Sequence, residues 1–330
     1  MLRVSQLAHT TILGSLVFAM AMPLPAFAST AEELNPQDLV NLSLEQLSNI
    51  EVTSVSKKSE KASEAAAAIF VITPDDIRQS GATSIPEVLR MVPGLNVAQS
   101  GSHQWAISSR GSNDQFANKL LVLIDGRTVY TPLFSGVFWD VQDTPLQDID
   151  RIEVIRGPGA TVWGANAVNG VINIITKQAK DTQGGLASVS LGTFDNAETM
   201  VRYGAKLGDV GHMRVYAKYN DRDDAETVAD GSAMDAWNKS QAGFRADWKG
   251  GDTNNYTVQG DMYRAAESYS FILPLPASSS SFALQNDREH AYGANLLGRW
   301  ENKISATSLV TAQLYYDNAR RSNFLYANNI

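Results

Sequence analysis

The sequence predicts an α+β domain followed by antiparallel strands of a transmembrane β-barrel. Between residues 69 and 182, short apolar strands alternate with short helices that carry capping residues. After residue 184 the chain changes to a period of two, in which one face of each strand is apolar and the other is polar. This alternation recurs in seven runs and is typical of strands that meet lipid on one side and water on the other. We therefore predict an incomplete barrel of about seven strands.

The first 28 residues predict a secretory signal peptide. Arg3 precedes an apolar run from Ile12 to Met22, and Ala26-Phe27-Ala28 has the small-x-small pattern of a cleavage site. An uncleaved anchor helix is the alternative, but Pro23 and Pro25 interrupt a segment that is already too short to span a bilayer. Cleavage after residue 28 and export from the cytoplasm are therefore expected.

Composition narrows the class of protein. The hydrophobic content is 44% of 330 residues, and no run after residue 30 approaches the roughly 20 apolar residues of a spanning helix. The chain contains no cysteine, which excludes disulfides and thiolate chemistry. A formal net charge of −8 argues against nucleic acid as a partner.

The exported chain begins with a polar segment. Residues 29 to 49 carry leucines at helical spacing, and Ser43 with Gln46 has the spacing of a capping box, which predicts a short helix. Residues 50 to 55 alternate branched and polar side chains and precede the charged, alanine-rich sequence KKSEKASEAAAA. This arrangement predicts an extended segment on a flexible tether.

Helix signals open the α+β domain. Thr73 is placed to cap a helix that starts with Pro74 and two aspartates, and Ser84 with Glu87 repeats the spacing of a capping box. Pro93-Gly94 then ends the second helix. Five strands are predicted after these helices, at residues 95 to 98, 105 to 109, 119 to 124, 151 to 155 and 171 to 175.

The seven alternating runs predict the barrel strands. They cover residues 187 to 191, 199 to 205, 213 to 219, 242 to 248, 255 to 263, 292 to 300 and 308 to 316. Short turns alternate with two long loops, 220 to 239 and 264 to 290, so the long connections fall on one side, as in outer-membrane barrels. Aromatic residues near strand ends fit an interfacial girdle: Tyr219, Trp248, Trp300 and Tyr316. A soluble β-sandwich is the alternative, which the signal peptide makes less favourable.

Catalytic motifs are missing from the sequence. The histidines after the signal peptide, His103, His212 and His290, are far apart, with no H-E-x-x-H pair and no serine or cysteine elbow. Gly157-Pro158-Gly159 followed by Gly164 lacks the spacing of a phosphate-binding loop and is interpreted as a structural hinge. We therefore predict neither an enzyme nor a resident cofactor or metal.

Two segments carry a family resemblance. Residues 151 to 177, RIEVIRGPGATVWGANAVNGVINIITK, and residues 120 to 127, LLVLIDGR, resemble the plug domain of TonB-dependent outer-membrane receptors. The resemblance extends from about residue 50 to 182 and implies a receptor of the cell outer membrane that is in contact with its lipid. It implies four regions: signal peptide 1 to 28, periplasmic extension 29 to 60, plug domain 61 to 182, and barrel strands 183 to 330.

The resemblance also implies a TonB box in the extension. Such a segment adds a strand to the C-terminal domain of TonB, the energy-transducing partner. The residues expected to bind TonB are Ile50, Glu51, Val52, Thr53, Ser54 and Val55. An ordinary first strand of the plug is the alternative, because the segment lacks the usual Thr-Ala ending.

Two plug arginines match a pair that meets barrel glutamates in the family. They are Arg110, in Ser109-Arg110-Gly111, and Arg156, before Gly157. The resemblance implies a breakable latch between plug and barrel, with glutamates in later strands than this chain contains. Simple surface arginines are the alternative.

Ligand contact in the family falls to outward-facing plug loops, here residues 98 to 106 and 130 to 143. The candidate binding residues are His103, Gln104, Trp105, Tyr130, Phe134, Phe138 and Trp139. A single exposed loop histidine is rarely an axial metal ligand, so that role is not assigned to His103. The five aspartates between residues 221 and 235 could bind calcium, but they lack EF-hand spacing and favour a solvated loop.

The resemblance implies transport of a scarce nutrient, with an iron–siderophore complex first and cobalamin or another metal complex second. A truncated, non-functional receptor fragment is the alternative from a different class. Seven strands do not close a single-chain bacterial barrel, and the sequence stops in what is expected to be an external loop.

Overall fold

A computed structural model describes residues 51–52, 60–61, 67–157, 160–227, 231–274, 282–305, 307–322 and 327–329. All of them lie in one contact unit, Ser48–Ile330. The predicted signal peptide, the predicted helix at 29 to 49, and Ile50, Thr53, Ser54 and Val55 of the predicted TonB box lie outside the described residues. Within the described part, no helix is long and apolar enough to cross a membrane.

A five-stranded sheet forms the centre of the α+β domain. Its strands are β3 (Ala68–Ile72), β6 (Leu120–Ile124), β7 (Arg127–Thr128), β8 (Ile149–Arg156) and β9 (Gly170–Thr176). The spatial order is β3-β8-β9-β6-β7, and the β6–β9 pair is parallel while the other pairs are antiparallel. The central strands are apolar runs because both of their faces are buried.

Apolar side chains pack on both faces of this sheet. Ile77, Val88 and Leu89 from two helices, α1 (Pro74–Ser80) and α2 (Ile85–Leu89), join one core cluster with Ile152 and Ile172. The opposite face packs Leu121, Ile155 and Val171 against Trp163 of α3 (Ala160–Trp163). Three 3₁₀ turns complete the domain, at Trp139–Val141, Leu146–Asp148 and Ala179–Thr182.

The predicted helix cap at Thr73 is confirmed, and with Asp76 it forms a capping box. The Thr73 hydroxyl accepts from the Asp76 amide at 3.2 Å, and the Asp76 carboxylate accepts from the Thr73 amide at 2.8 Å. The prediction at Ser84 is wrong, because Ser84 makes no capping hydrogen bond. Instead, the Glu87 carboxylate accepts from the amide of Thr83 at 2.8 Å, one residue before the predicted partner.

Two short hairpins accompany the sheet. β4 (Leu95–Gln99) pairs antiparallel with β5 (Trp105–Ser109), so the predicted loop 98 to 106 is largely the end of a hairpin. β1 (Glu51–Val52) pairs antiparallel with β2 (Glu60–Lys61), and Val52 is buried. The described part of the predicted TonB box is therefore extended, as expected, and is already paired within the chain.

Eight antiparallel strands follow the plug-like domain, each paired with its neighbours in chain order. They are β10 (Gly184–Leu191), β11 (Ala197–Leu207), β12 (Gly211–Arg222), β13 (Trp237–Gly250), β14 (Asn254–Pro274), β15 (Phe282–Lys303), β16 (Leu309–Ser322) and β17 (Ala327–Asn329). The seven predicted strands are confirmed, and each is longer than predicted, although β10 and β16 extend at one end only. In the described residues β10 and β17 are the two edges of an unclosed sheet.

Two loop predictions need correction. The interval 264 to 290 is mostly a paired hairpin, because β14 and β15 are 21 and 22 residues long and stay in register out to Pro274 and Phe282. The segment after residue 316, expected to be an external loop, is partly paired as well, since Arg320 to Ser322 of β16 pair with β17.

The two faces of this sheet differ in chemistry. The outward face exposes apolar side chains, among them Val189, Leu191, Met262 and Leu314, which is 81% exposed. The inward face covers the α+β domain with buried polar side chains such as Lys239 and Arg245. An apolar outward face and a polar inward face are typical of a membrane β-barrel.

Candidate functional site

Four aspartates of the α+β domain contact basic side chains on the inward face of the strands. We call this set of contacts the seam. It joins Asp125 to Arg245, Asp140 to Arg321, Asp143 to Lys218 and Lys239, and Asp148 to Arg202 and Arg214. Buried charges of this kind are tolerated because each meets an opposite charge and hydrogen-bond donors.

Asp143 joins two lysines of the seam. Its carboxylate accepts from Lys218 Nζ at 2.7 Å and from Asn220 Nδ2, and it lies 3.7 Å from Lys239 Nζ. Lys239 is fully buried and also donates to the Val141 carbonyl at 3.0 Å. Burial alone would raise the pKa of Asp143, but attraction to the two ammonium groups outweighs it and lowers that pKa.

Asp125 is positioned by the turn between β6 and β7. Asp125 and Gly126 both have positive φ, 50° and 78°, as a two-residue Asp-Gly hairpin turn requires. The Asp125 carboxylate accepts from the Thr176 amide at 2.9 Å and hydroxyl at 2.8 Å, and from Gln259 Nε2 at 2.8 Å. The turn in LLVLIDGR thus joins the central sheet to barrel strand β14.

The latch role of Arg110 and Arg156 stays a prediction. Arg156 Nη1 donates to the Pro93 carbonyl at 2.9 Å, and the Arg110 carbonyl accepts from Asn169 Nδ2 at 3.3 Å. Within the described residues neither forms an ion pair with a glutamate. The seam has the reverse polarity, with carboxylates on the plug-like domain and cations on the strands, whereas a separate pair, Arg127 to Asp317 at 2.6 Å, has the polarity of the predicted latch.

A cavity of about 240 Å³ opens at one end of the seam. It lies toward the side of the long connections, since Glu267, Glu289 and Arg321 occupy the halves of β14, β15 and β16 that are far from the short turns. The lining residues are His103, Gln104, Trp105, Gln115, Phe116, Val137, Phe138, Trp139, Asp140, Glu267, Tyr269, Glu289 and Arg321.

Five of the seven predicted ligand-binding residues meet in this cavity: His103, Gln104, Trp105, Phe138 and Trp139. The other two are not in its wall. The Tyr130 hydroxyl donates to the Leu120 carbonyl at 2.7 Å, and burial raises the pKa of Tyr130 to about 12. Phe134 packs edge-on against two phenylalanines, at centroid distances of 5.0 and 5.1 Å. Both residues shape the loop that carries the lining aromatics.

The expectation of an exposed His103 is wrong, because its side chain is only 5% exposed. Its Nδ1 lies 3.2 Å from the Asp235 carbonyl oxygen, and its Nε2 lies 3.6 Å from Glu267 Oε2. Burial lowers the pKa of His103 despite the attraction of Asp140 and Asp235. The ring is therefore neutral at pH 7 and part of the wall.

Arg321 organises the inner end of the cavity. Glu267 and Glu289 sit directly opposite each other on β14 and β15, an arrangement that is unfavourable for two like charges. The Arg321 guanidinium contacts both carboxylates and that of Asp140, and it stacks on Phe138 with its carbon 3.8 Å from the ring centroid. Burial raises the pKa of Asp140, but the charge of Arg321 and a hydrogen bond with Glu267 together outweigh burial and lower that pKa.

Sequence reasoning missed the barrel contribution to the cavity. Glu267, Glu289 and Arg321 were not selected, although charged residues on the inward phase of three neighbouring strands were a usable signal. The aspartate-rich loop also has a structural role. Asp235 accepts from the amides of Ser102 and Ala225, both at 2.7 Å, which ties the loop to the plug-like domain. Among the described residues, no group of three or more potential metal ligands is present.

Comparison with known proteins places this geometry in context. The family model described as TonB-dependent Receptor Plug Domain matches residues 61–171. The Vitamin B12 transporter BtuB of Vibrio cholerae is 34% identical over 187 residues, which cover 56% of this chain and 28% of the transporter. That of Vibrio vulnificus is 26% identical over 301 residues, covering 90% of this chain and 44% of the transporter. The chain thus spans less than half the length of these curated relatives.

Solved structures show the same fold. The Escherichia coli ferric-catecholate import receptor Fiu superposes with a TM-score of 0.65 at 20% identity, over 83% of this chain and 40% of the receptor. The siderophore receptor PiuA of Acinetobacter baumannii gives a TM-score of 0.64 at 15% identity, over 85% of this chain and 40% of the receptor. At these identities the likeness concerns the fold.

Proposed function

We propose that this chain, a TonB-dependent receptor by its plug domain and the antiparallel strands that follow it, binds a metal complex at the outer end of the plug and releases it inward when TonB acts on the plug. Its location is the outer membrane. Curated relatives are vitamin B12 transporters, and solved neighbours are a ferric-catecholate import receptor and a siderophore receptor. Both ligands are metal complexes, which is the substrate class that we propose here.

The observation that carries the proposal is the cavity between the outward plug loops and the strand ends. Its wall combines Trp105, Phe138 and Trp139 with the charged groups of the seam. Aromatic rings with a few convergent polar groups are what a ligand site of a carrier requires. A group bound there touches the plug and the barrel together, so binding can bias the contacts between them.

Coupling to TonB is the second part of the proposal. The segment from Ile50 to Val55 is the expected docking strand, and its described part, Glu51–Val52, pairs with Glu60–Lys61. If TonB replaced Glu60–Lys61 as the partner of this strand, a force exerted by TonB would be transmitted to the plug. The seam would resist that pull while remaining breakable, because its contacts are discrete ion pairs rather than a continuous apolar interface.

Equilibrium binding to outer-membrane vesicles tests the ligand site. We expect saturable binding of cyanocobalamin or of a ferric siderophore, and a loss of at least about tenfold in affinity for Trp139→Ala, since a lining aromatic anchor is removed. Trp248→Ala is the matched control, because Trp248 stacks on Tyr256 at 5.5 Å and lies outside the cavity. Absence of saturable binding by both kinds of probe would refute the proposal.

A further inference from the structure

The formal charge of the cavity wall bears on which metal complexes can bind there, because metal complexes differ in their own charge. Three acidic side chains line it, from Asp140, Glu267 and Glu289; because Asp140 and Glu267 share a hydrogen bond and hence a proton, they leave two negative charges against the single guanidinium of Arg321. His103 adds no positive charge at pH 7, because burial lowers its pKa. In formal charges the described wall is therefore acidic.

Arg321 is not free to receive an anion. Its guanidinium already contacts the three carboxylates, its side chain is 6% exposed, and one face lies on the Phe138 ring. A second guanidinium, that of Arg90, lies 5.1 Å from the centroid of Trp105 but does not line the cavity. A polyanionic ligand would have to displace these carboxylates or bring its charge beside them, and both are unfavourable in a partly desolvated site.

One buried acceptor in the wall lacks a donor. Glu267 is 2% exposed, and its Oε1 accepts no hydrogen bond from the described residues. A buried carboxylate oxygen without a donor is unfavourable, and a ligand N–H or cationic group supplies what it lacks. Trp105 and Trp139 belong to the same cavity wall.

From this geometry, and resting on the function proposed above, we infer that the ligand is an uncharged or cationic metal complex whose rim carries N–H donors, and that polyanionic ferric catecholates are excluded. The cavity volume is about 240 Å³. Pockets that enclose a drug-sized ligand measure roughly 300–1,000 Å³. A side group of the complex, rather than the whole complex, therefore enters the cavity.

Four probes of different charge test the inference on outer-membrane vesicles that contain the protein. They are cyanocobalamin and a ferric trihydroxamate, which are uncharged, aquocobalamin, which is a cation with the same rim, and a trianionic ferric tris-catecholate. We expect at least one uncharged probe to bind about tenfold or more tighter than the trianion, and added salt to weaken aquocobalamin more than cyanocobalamin. The two uncharged probes distinguish a corrinoid ligand from an iron complex.

Glu289→Gln should reduce the difference in affinity between the uncharged probe and the trianion, because it removes one carboxylate from the wall. Glu301→Gln, the same change on the same strand outside the cavity, should leave this difference in affinity unchanged. If Glu289→Gln does not fold, the salt dependence of the unmodified protein decides. Tighter or equal binding of the trianion overturns the charge inference and leaves the receptor function standing. Absence of binding by all four probes overturns both.

Discussion

Replacing Asp143 with asparagine tests whether buried ion pairs hold the plug against the strands. The change keeps the size of the side chain and removes the charge that Lys218 contacts at 2.7 Å and Lys239 approaches at 3.7 Å. Lys218 keeps Glu198 at 3.3 Å, whereas Lys239, fully buried, keeps its hydrogen bond to the Val141 carbonyl. Because one charge retains a partner, we expect the low end of the range for breaking a buried pair, about 3 kcal/mol.

The assay is urea unfolding of the plug in detergent, followed by a fluorophore on a cysteine placed at exposed Gln79 of α1. The chain has no other cysteine, so the label reports the plug alone. With a slope of about 2 kcal/mol per molar of urea, the expected loss lowers the midpoint by about 1.5 M. Removing Lys239 as well, in Asp143→Asn/Lys239→Met, should recover part of the loss, because the buried ammonium that Asp143→Asn leaves without a carboxylate is gone.

The matched control is Asp252→Asn, in the exposed turn between β13 and β14. It should change the free energy of unfolding by less than about 0.5 kcal/mol. If Asp143→Asn and Asp252→Asn have the same midpoint, the charges of the seam do not stabilise the docked plug and the reasoning fails.

Three further predictions address pH, capping and close packing. Asp140 and Asp143 both have a lowered pKa in the folded protein, so the stabilisation they provide is complete above their ordinary pKa of 3.8 and is lost as pH falls through the folded-state pKa values. The urea midpoint should therefore be constant near neutral pH and should fall below about pH 4. The fall should be less steep in Asp143→Asn. Thr73→Ala should destabilise the plug by about 1 kcal/mol in the same assay, whereas Thr73→Ser should preserve the cap. If Thr73→Ser destabilises the plug as much as Thr73→Ala, the capping role is contradicted. Gly204→Val should reduce the yield of membrane-inserted protein, because a side chain there overlaps a backbone carbonyl, while Gly298→Val meets nothing within 4 Å and should match the unmodified protein on fractionation.

Three strands of the plug sheet, β6, β8 and β9, could be predicted from sequence because they are short runs with clear ends, whereas the edge strands β3 and β7 were not among the predicted strands. The run at 171 to 175 is observed as Gly170–Thr176, and the strand at 105 to 109, which belongs to the separate β4–β5 hairpin, is observed with those bounds. Both faces of these strands are buried, so apolar content alone identifies them. The capping pattern at Thr73 is equally local, and it was also confirmed.

The seam and half of the cavity depend on register, which alternation does not determine. Glu267 and Glu289 meet because β14 and β15 pair as far as Pro274 and Phe282, beyond the point where the alternating pattern fades. An inward-facing polar residue also has the same sequence signature whether it faces water or an aspartate of the plug. The reversed polarity of the seam therefore could not be predicted, although the Asp-Gly turn at Asp125 gave a local signal for one of its members.

Energised uptake by whole cells tests the central claim most directly. Cells that express the protein should accumulate a labelled metal complex above the amount bound at the surface, and only when TonB is intact. Val52→Pro removes a backbone donor from the predicted docking strand, so accumulation should fall to the surface-bound amount while binding persists; Val52→Thr, which keeps the donor, should still transport. Accumulation that does not require TonB, or that survives Val52→Pro unchanged, would contradict the account.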